Sequence, residues 1–163
     1  MGAGVGARPT VVLVSAAASG AGKTAWVEAL VRYWSGQGRR LAVVKHHPHG
    51  SAHLRAPGKD TARAMAAGAA PVALVEPGQV ALTTAGRTPA DDLDSAVRAV
   101  TALGPVDIVL AEGFRAVPGD LRLWVGAGAP PPGDRVVVRA DGPEAEDAGR
   151  VALVAERLVP TLL

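Results

Sequence analysis

Runs of aliphatic residues along the chain alternate with segments of helical spacing. Residues 11–15 form a continuous apolar run, as expected of a strand buried on both faces, and residues 24–35 place apolar side chains three and four positions apart. Gly36 and Gly38 end this helix, and residues 41–44 form a second strand after a crossover of the length found in right-handed βαβ units. The pattern predicts an opening strand, loop, helix and strand.

The rest of the chain continues this alternation. Pro77 and Gly78 separate two apolar runs and signal a tight turn, which predicts a hairpin and a mixed sheet. Further helices are predicted at residues 60–67, 91–103 and 144–158, and further strands at 72–75, 80–83, 106–111, 121–125 and 135–139. We expect a three-layer α/β/α, P-loop NTPase-like domain with a mostly parallel, mixed sheet, formed by residues 10–163 after a mobile tail at 1–9.

Composition supports an α/β core and narrows the range of partners. Hydrophobic residues make up 48% of the 163 positions but aromatic residues only 3%, so the core is expected to consist of Val, Leu and Ala. The net charge is +2 with no run of like charges, and no apolar segment approaches the roughly 20 residues of a membrane span. Cysteine is absent. We expect a cytoplasmic protein with no nucleic-acid or membrane partner.

The segment from residue 17 to residue 24, here called the phosphate loop, reads Ala-Ala-Ser-Gly-Ala-Gly-Lys-Thr. It matches the G-x-x-x-x-G-K-[ST] pattern except at Ala17. In this pattern the glycines turn backbone N–H groups toward phosphate, Lys23 faces the β- and γ-phosphates and the Thr24 hydroxyl ligates Mg²⁺. The nucleotide-binding residues are predicted to be Ser19, Gly20, Ala21, Gly22, Lys23 and Thr24. The alternative is an ordinary turn, but the strand before it and the helix after it favour phosphate binding.

Two carboxylates complete the predicted nucleotide site. Glu112 follows a buried strand and precedes Gly113, which suits a Mg²⁺ ligand, and we assign catalytic roles to it and to Lys23. Asp107 stands at the beginning of the same strand, away from the edge where ligands bind. Asp141 ends a segment that resembles the guanine-reading N/T-K-x-D signature. A surface glutamate and a plain turn, respectively, are the alternative interpretations.

A second group of charged residues follows the strand at 41–44. Three histidines, His46, His47 and His49, lie beside Lys45, but the intervening proline and the lack of a nearby acidic partner argue against a closed zinc site. An anion pocket that also uses the nearby basic residues is the favoured interpretation, and solvated loop charges are the alternative. Those basic residues include Lys59 and Arg63.

Four segments together resemble the molybdopterin-guanine dinucleotide biosynthesis adapter proteins, called MobB. They are Ser19 to Thr24, Val43 to Gly50, Pro57 to Arg63 and Glu112 to Arg115. The resemblance implies a homodimeric, weakly hydrolysing GTP-binding protein with Mg²⁺. Such a protein assists the molybdopterin guanylyltransferase, and contacts with other molybdenum cofactor proteins are also implied.

The resemblance also assigns residues to a second ligand, a phosphorylated pterin such as molybdopterin, or to a partner. These residues are Lys45, His46, His47, His49, Lys59, Asp60, Arg63 and Arg115. The chain departs from the family pattern at Ala17, where glycine is usual, and at Arg115, where lysine is common. Arginine there preserves the charge but not the geometry.

Two other functions share these features. A small-molecule kinase has the same loop and core but needs a lid of closing arginines, for which residues 126–133 followed by Arg135 are the one candidate. A nucleotide-gated binding module without meaningful turnover would act by docking onto a partner enzyme. The four-segment resemblance favours the GTP-binding adapter over the kinase.

Overall fold

A computed structural model of the protein describes residues 8–46, 63–64, 66–69, 72–77, 79–83 and 89–159. Seven strands, three α-helices and one 3₁₀-helix lie entirely within these residues. In chain order they are β1 (Thr10–Ser15), α1 (Lys23–Gly36), β2 (Leu41–Lys45), β3 (Val72–Glu76), β4 (Gln79–Thr83), α2 (Pro89–Ala102), β5 (Ile108–Glu112), β6 (Leu121–Val125), β7 (Val136–Ala140), the 3₁₀-helix (Gly142–Glu146) and α3 (Ala148–Leu158).

Five strands form one parallel sheet in the order β2-β5-β1-β6-β7. This α/β architecture confirms the predicted P-loop NTPase-like fold. The predicted hairpin is also present, since β3 and β4 pair antiparallel. The two hairpin strands form a sheet of their own, however, so the main sheet is purely parallel among the described strands and not mixed as expected. The mixed sheet was expected because a turn signal gives the pairing of two strands but not the sheet that they join.

Both faces of the three central strands, β5, β1 and β6, are buried. On one face the apolar sides of α1 and α3 pack over the central strands; this core includes Val12, Trp26, Leu30, Val154 and Leu158. On the opposite face Leu13, Val109 and Trp124 are at most 1% exposed. Strands buried on both faces require continuous apolar sequence, which explains the unbroken aliphatic runs, and two covered faces are what a three-layer arrangement requires.

The last predicted helix is wrong as a single element. Residues 142–146 form the 3₁₀-helix, and α3 begins only at Ala148. Asp147 separates the two, because its extended backbone and its side chain, which accepts a hydrogen bond from the Arg150 backbone N–H at 2.9 Å, form the N-cap of α3. Apolar spacing runs through this cap, so periodicity alone did not reveal the break.

Other boundaries differ by one or two residues. The strand predicted from Val106 begins at Ile108, and α2 already includes Pro89, which suits the first turn of a helix. For the helix predicted at 60–67, the Ala67 N–H donates to the Arg63 carbonyl at 3.0 Å, a helical bond, whereas residues 60–62 lie outside the described residues. Most of the predicted tail, residues 1–7, also lies outside them.

The chain divides into two compact units. One comprises residues 1–46 and 96–163 and contains the five-stranded sheet with α1 and α3. The other comprises residues 47–95 and contains the hairpin. A single domain over residues 10–163 therefore stays a prediction. Within the described part of the chain, no helix is both long and apolar enough to cross a membrane.

Candidate functional site

The phosphate loop joins β1 to α1 in the central position of the sheet. Gly20 and Gly22 have φ values of 75° and 92°, which lie in the left-handed region that glycine adopts at no steric cost. The Lys23 ammonium donates to the carbonyl of Ala18 at 3.3 Å. Residues 17–20 are exposed at the carboxyl end of β1. The loop thus runs from a buried strand to the N-terminus of α1, where backbone N–H groups and the helix dipole attract anions.

Ala17 fits its position without backbone strain. No non-glycine residue in the described part of the chain has a positive φ, so Ala17 adopts a conformation open to any L-residue. Its methyl faces Gly128, where an added Cβ would lie 3.2 Å from the Ala17 Cβ, and its carbonyl accepts a hydrogen bond from Arg115 Nη1 at 3.0 Å. The missing side chain at Gly128 therefore leaves room for the methyl.

The segment after β7 lies directly against the phosphate loop. A Cβ added to Gly142 would stand 2.7 Å from the Ala21 carbonyl oxygen, and one added to Gly22 would stand 2.5 Å from the Gly142 Cα. The buried Trp26 indole donates to the Asp141 carbonyl at 2.8 Å, which holds the two segments together. Asp141 itself is exposed. The structure thus brings the predicted base-reading residue beside the predicted phosphate site.

Glu112 lies at the end of β5, where three parallel strands reach the same edge of the sheet. Its side chain is only 8% exposed. The Thr24 hydroxyl donates to Glu112 Oε1 at 3.2 Å, and the Lys45 ammonium lies 3.4 Å from the same oxygen. The register pairs Lys45 with Glu112 across β2 and β5, which places the ammonium there. The buried Glu112 carboxylate therefore accepts a hydrogen bond from the Thr24 hydroxyl and forms an ion pair with the Lys45 ammonium.

This pair of oxygen groups fits Mg²⁺. Magnesium in nucleotide sites is held by one or two protein oxygens, with phosphate and water completing its octahedron. Thr24 and Glu112 would hold the ion, since their oxygens already lie within hydrogen-bonding distance of each other. In the part of the chain that the structure describes, no group of three or more His, Cys, Asp or Glu side chains is placed to bind a metal by itself.

Asp107 occupies the opposite end of β5, as its sequence position predicts. Its carboxylate accepts hydrogen bonds from the Arg40 backbone N–H at 2.8 Å and from Arg40 Nε at 3.0 Å. The hydrogen bond from the Arg40 side chain is the main cause that lowers the pKa of Asp107 well below its usual range, and the same contact raises the pKa of Arg40. Asp107 thus pairs with an arginine, far from the phosphate loop.

Several of the predicted anion-binding residues lie at the same edge as Glu112. The His46 backbone N–H donates to the Glu112 carbonyl at 2.9 Å, and its ring lies 5.0 Å from the ring of Phe114. Gly113 has a φ of 99°, and a Cβ there would stand 3.0 Å from the His46 carbonyl. Lys45 and Arg115 are exposed beside them. The structure thus gathers Lys45, His46 and Arg115 near the phosphate loop.

For the other members of that predicted group the assignment stays a prediction. Arg63 is exposed and belongs to the unit formed by residues 47–95. Four further predicted residues, His47, His49, Lys59 and Asp60, lie outside the described residues.

Sequence reasoning missed one buried charge close to the site. Arg122 on β6 is fully buried, and its guanidinium donates to the Ser15 hydroxyl at 2.7 Å and pairs with Asp134. A single charged residue inside the apolar run Leu-Arg-Leu-Trp-Val was the available signal. In a strand between two other strands, such a residue indicates an internal partner, because a buried charge needs one.

Comparison with known proteins gives one family and a set of similar folds. The sequence profile described as molybdopterin guanine dinucleotide synthesis protein B, MobB, matches residues 11–120. No protein with a curated description matches the chain in sequence.

Among solved structures, MobB from Bacillus subtilis is similar to this chain with a TM-score of 0.53 and 22% identity, covering 93% of this chain and 99% of that chain. A second crystal structure of Bacillus subtilis MobB gives a TM-score of 0.52 and 22% identity, covering 92% and 99%. A MobB protein homolog from Bacillus stearothermophilus gives a TM-score of 0.50 and 19% identity, covering 91% and 97%. At these identities the likeness shows the fold.

Proposed function

The chain belongs to the molybdopterin guanine dinucleotide synthesis protein B family, as its four motifs predicted, and from this premise we propose that it is a GTP-binding adapter. The family acts in molybdopterin guanine dinucleotide synthesis. In this proposal the protein binds GTP with Mg²⁺, hydrolyses it slowly, and assists the guanylyltransferase that transfers GMP to molybdopterin.

One observation carries the proposal. The Thr24 hydroxyl, at the start of α1, and the buried Glu112 carboxylate, at the end of β5, meet at 3.2 Å beside the exposed phosphate loop. A strand buried on both faces delivers each of the two segments to the same edge. The backbone proposed to bind phosphate, an ammonium and the two oxygens proposed to hold a divalent cation therefore lie within one small region.

The residues from Gly20 to Thr24, with Glu112, have defined tasks in this function. Backbone N–H groups of residues 20–24 would bind phosphate oxygens, helped by the dipole of α1. The Lys23 ammonium would exchange the Ala18 carbonyl for oxygens of the β- and γ-phosphates, a stronger, charge-assisted contact. Thr24 and Glu112 would orient the cation, which when bound neutralises charge on the phosphates.

The basic residues beyond the phosphate loop suit a second phosphorylated ligand. Lys45, His46 and Arg115 lie at the same edge as Glu112, so an anion there would approach a bound triphosphate. We assign them to a phosphorylated pterin such as molybdopterin or to a partner, together with His47, His49, Lys59, Asp60 and Arg63. Homodimerisation, contacts with other molybdenum cofactor proteins and a cytoplasmic location belong to the same proposal.

The contacts of residues 126–133 favour an adapter over a small-molecule kinase. A kinase lid must open and close, whereas this link is hydrogen-bonded to its surroundings. Gly128 accepts from Arg139 at 2.9 Å, and Ala127 accepts from the buried Trp124 indole at 3.3 Å. Gly128 also packs beside Ala17. These contacts hold the link in place beside the phosphate loop, which does not suit a lid that opens and closes.

Titration calorimetry with GTP and ATP, each with Mg²⁺ and with EDTA, tests the proposed function. We expect GTP to bind in the presence of Mg²⁺ and ATP to bind at least about tenfold more weakly, because adenine lacks the N1–H and N2–H₂ donors that Asp141 would accept. Tight ATP binding with GTP excluded would contradict the guanine assignment.

Asp141→Asn should change the choice of base. The amide loses the charge-assisted bonds to guanine, which are worth about 1.5–3 kcal/mol, so GTP affinity should fall by roughly 10- to 100-fold. The new NH₂ group can donate a hydrogen bond to the carbonyl that xanthine carries where guanine carries an amine, so the variant should bind xanthosine triphosphate. Competition binding measures both changes. Asp120→Asn, at a side chain that is 76% exposed, is the matched control, and equal losses in the two variants would refute the assignment.

A further inference from the structure

Arg122 is a completely enclosed charge on β6, the strand between β1 and β7. Its side chain is 0% exposed, and so is the side chain of its partner Asp134. Burying an ion pair costs several kcal/mol per ion, which only close pairing and further hydrogen bonds offset. Such a residue calls for a reason beyond stability, because a hydrophobic side chain would fill the space at lower cost.

The guanidinium connects three separate segments. Two of its nitrogens form a fork on the Asp134 carboxylate, whose Oδ1 also accepts the Gly119 N–H at 2.8 Å. Its Nη1 donates to the Ser15 hydroxyl at 2.7 Å and to the Phe114 carbonyl at 3.4 Å. Its Nη2 also donates to the carbonyl of Val117. The arrangement uses all five N–H donors that an arginine holds in one fixed plane, and a lysine has no such set of donors.

Two of these contacts lie next to the candidate site. Ser15 is the last residue of β1 and stands two positions before the phosphate loop begins at Ala17. Phe114 stands two positions after Glu112, across the turn at Gly113. Thr24 comes after Ser15 in the chain, and Glu112 comes just before Phe114. Their separation of 3.2 Å therefore depends on how the end of β1 sits beside the turn after β5.

We propose that Arg122 is a positioning residue: by tying Ser15 and the 114–117 turn to β6, it sets the placement in which Thr24 and Glu112 share one divalent cation. The inference rests on the proposed function, since it concerns the same Mg²⁺-nucleotide site. In this role Arg122 would contact neither the cation nor the nucleotide. Residues that orient metal ligands in this way typically change metal affinity by about 10- to 100-fold when they are replaced.

Arg122→Lys tests this role. A lysine keeps the charge opposite Asp134 but has one nitrogen, so it cannot span both the end of β1 and the turn after Glu112. The measurement is GTP affinity by calorimetry in Mg²⁺ and in EDTA, whose ratio is the Mg²⁺ enhancement. We expect the enhancement to fall by about tenfold or more, with affinity in EDTA within about twofold of the unaltered protein. Arg135→Lys, at a side chain that is 81% exposed, is the matched control.

The outcomes separate this inference from the proposed function. An unchanged Mg²⁺ enhancement in Arg122→Lys, with a lowered melting temperature, would show a purely structural role and overturn the inference alone. If that variant does not fold, Ser15→Ala gives the same test, because it removes one acceptor and leaves the ion pair: a reduced enhancement supports the inference and an unchanged one overturns it. Absence of Mg²⁺-dependent GTP binding in the unaltered protein would overturn the proposed function and the inference with it.

Discussion

Lys23→Ala should remove measurable GTP binding, with a loss of at least about 100-fold in affinity. The ammonium is the cation contributed by the phosphate loop itself, and it is held over that loop by the Ala18 carbonyl. Each charge-assisted hydrogen bond to a phosphate is worth about 1.5–3 kcal/mol, so contacts to both the β- and γ-phosphates account for a loss of this size. Calorimetry in Mg²⁺ measures the loss, and circular dichroism shows whether α1 is retained.

A second variant on the same helix provides the control. Arg32 also carries a positive charge on α1, but it is exposed and pairs with Glu28 four residues earlier at 3.0 Å. Such exposed pairs contribute little, so Arg32→Ala should bind GTP as the unaltered protein does. GTP affinity that is unchanged in Lys23→Ala would contradict the phosphate site at this loop.

Glu112→Gln should uncouple GTP binding from Mg²⁺. The amide keeps the size of the side chain and an oxygen acceptor for Thr24, but it removes the negative charge that a divalent cation requires. We expect GTP affinity in Mg²⁺ to fall by roughly 10- to 100-fold, toward the value in EDTA, and hydrolysis to fall with it. Affinity in EDTA should stay the same or rise, because a negative charge near the phosphates has been removed.

Glu28→Gln serves as the comparison for this variant, since its carboxylate is 58% exposed on α1 and pairs with Arg32. It should leave both affinities unaltered. If Glu112→Gln retains the full Mg²⁺ enhancement of GTP binding, the metal is bound elsewhere, and the assignment of Glu112 as its ligand is refuted.

Much of this protein can be predicted from its sequence because strands buried on both faces must be continuously apolar and helices on a sheet must be amphipathic. Those two requirements give the α/β class, most element boundaries and the strand, loop and helix around Lys23. The family was also evident from four short segments, and the match over residues 11–120 confirms it. Candidate functional residues can be recognised in a sequence where a function needs particular residue types in a short stretch.

The break before α3 shows where local reasoning fails. Apolar spacing continues through Asp147, whose side chain nevertheless caps a new helix. A hydrogen bond between one side chain and one backbone N–H decided the boundary, and periodicity does not record it. The separate hairpin sheet has a similar cause, because a turn signal specifies a pair of strands and not their neighbours.

The family, and the phosphate loop and Glu112 as candidate site residues, can be predicted from the sequence alone, since each motif is a short stretch of chain. Three contacts became evident only in the folded chain: Ala17 is accommodated beside Gly128, Asp141 lies against the loop, and Arg122 joins Ser15 to the turn after Glu112. These contacts link residues from 8 to 115 positions apart. They arise because parallel strands bring distant segments to one edge of a sheet, and the strand order that does so is a property of the whole packed chain.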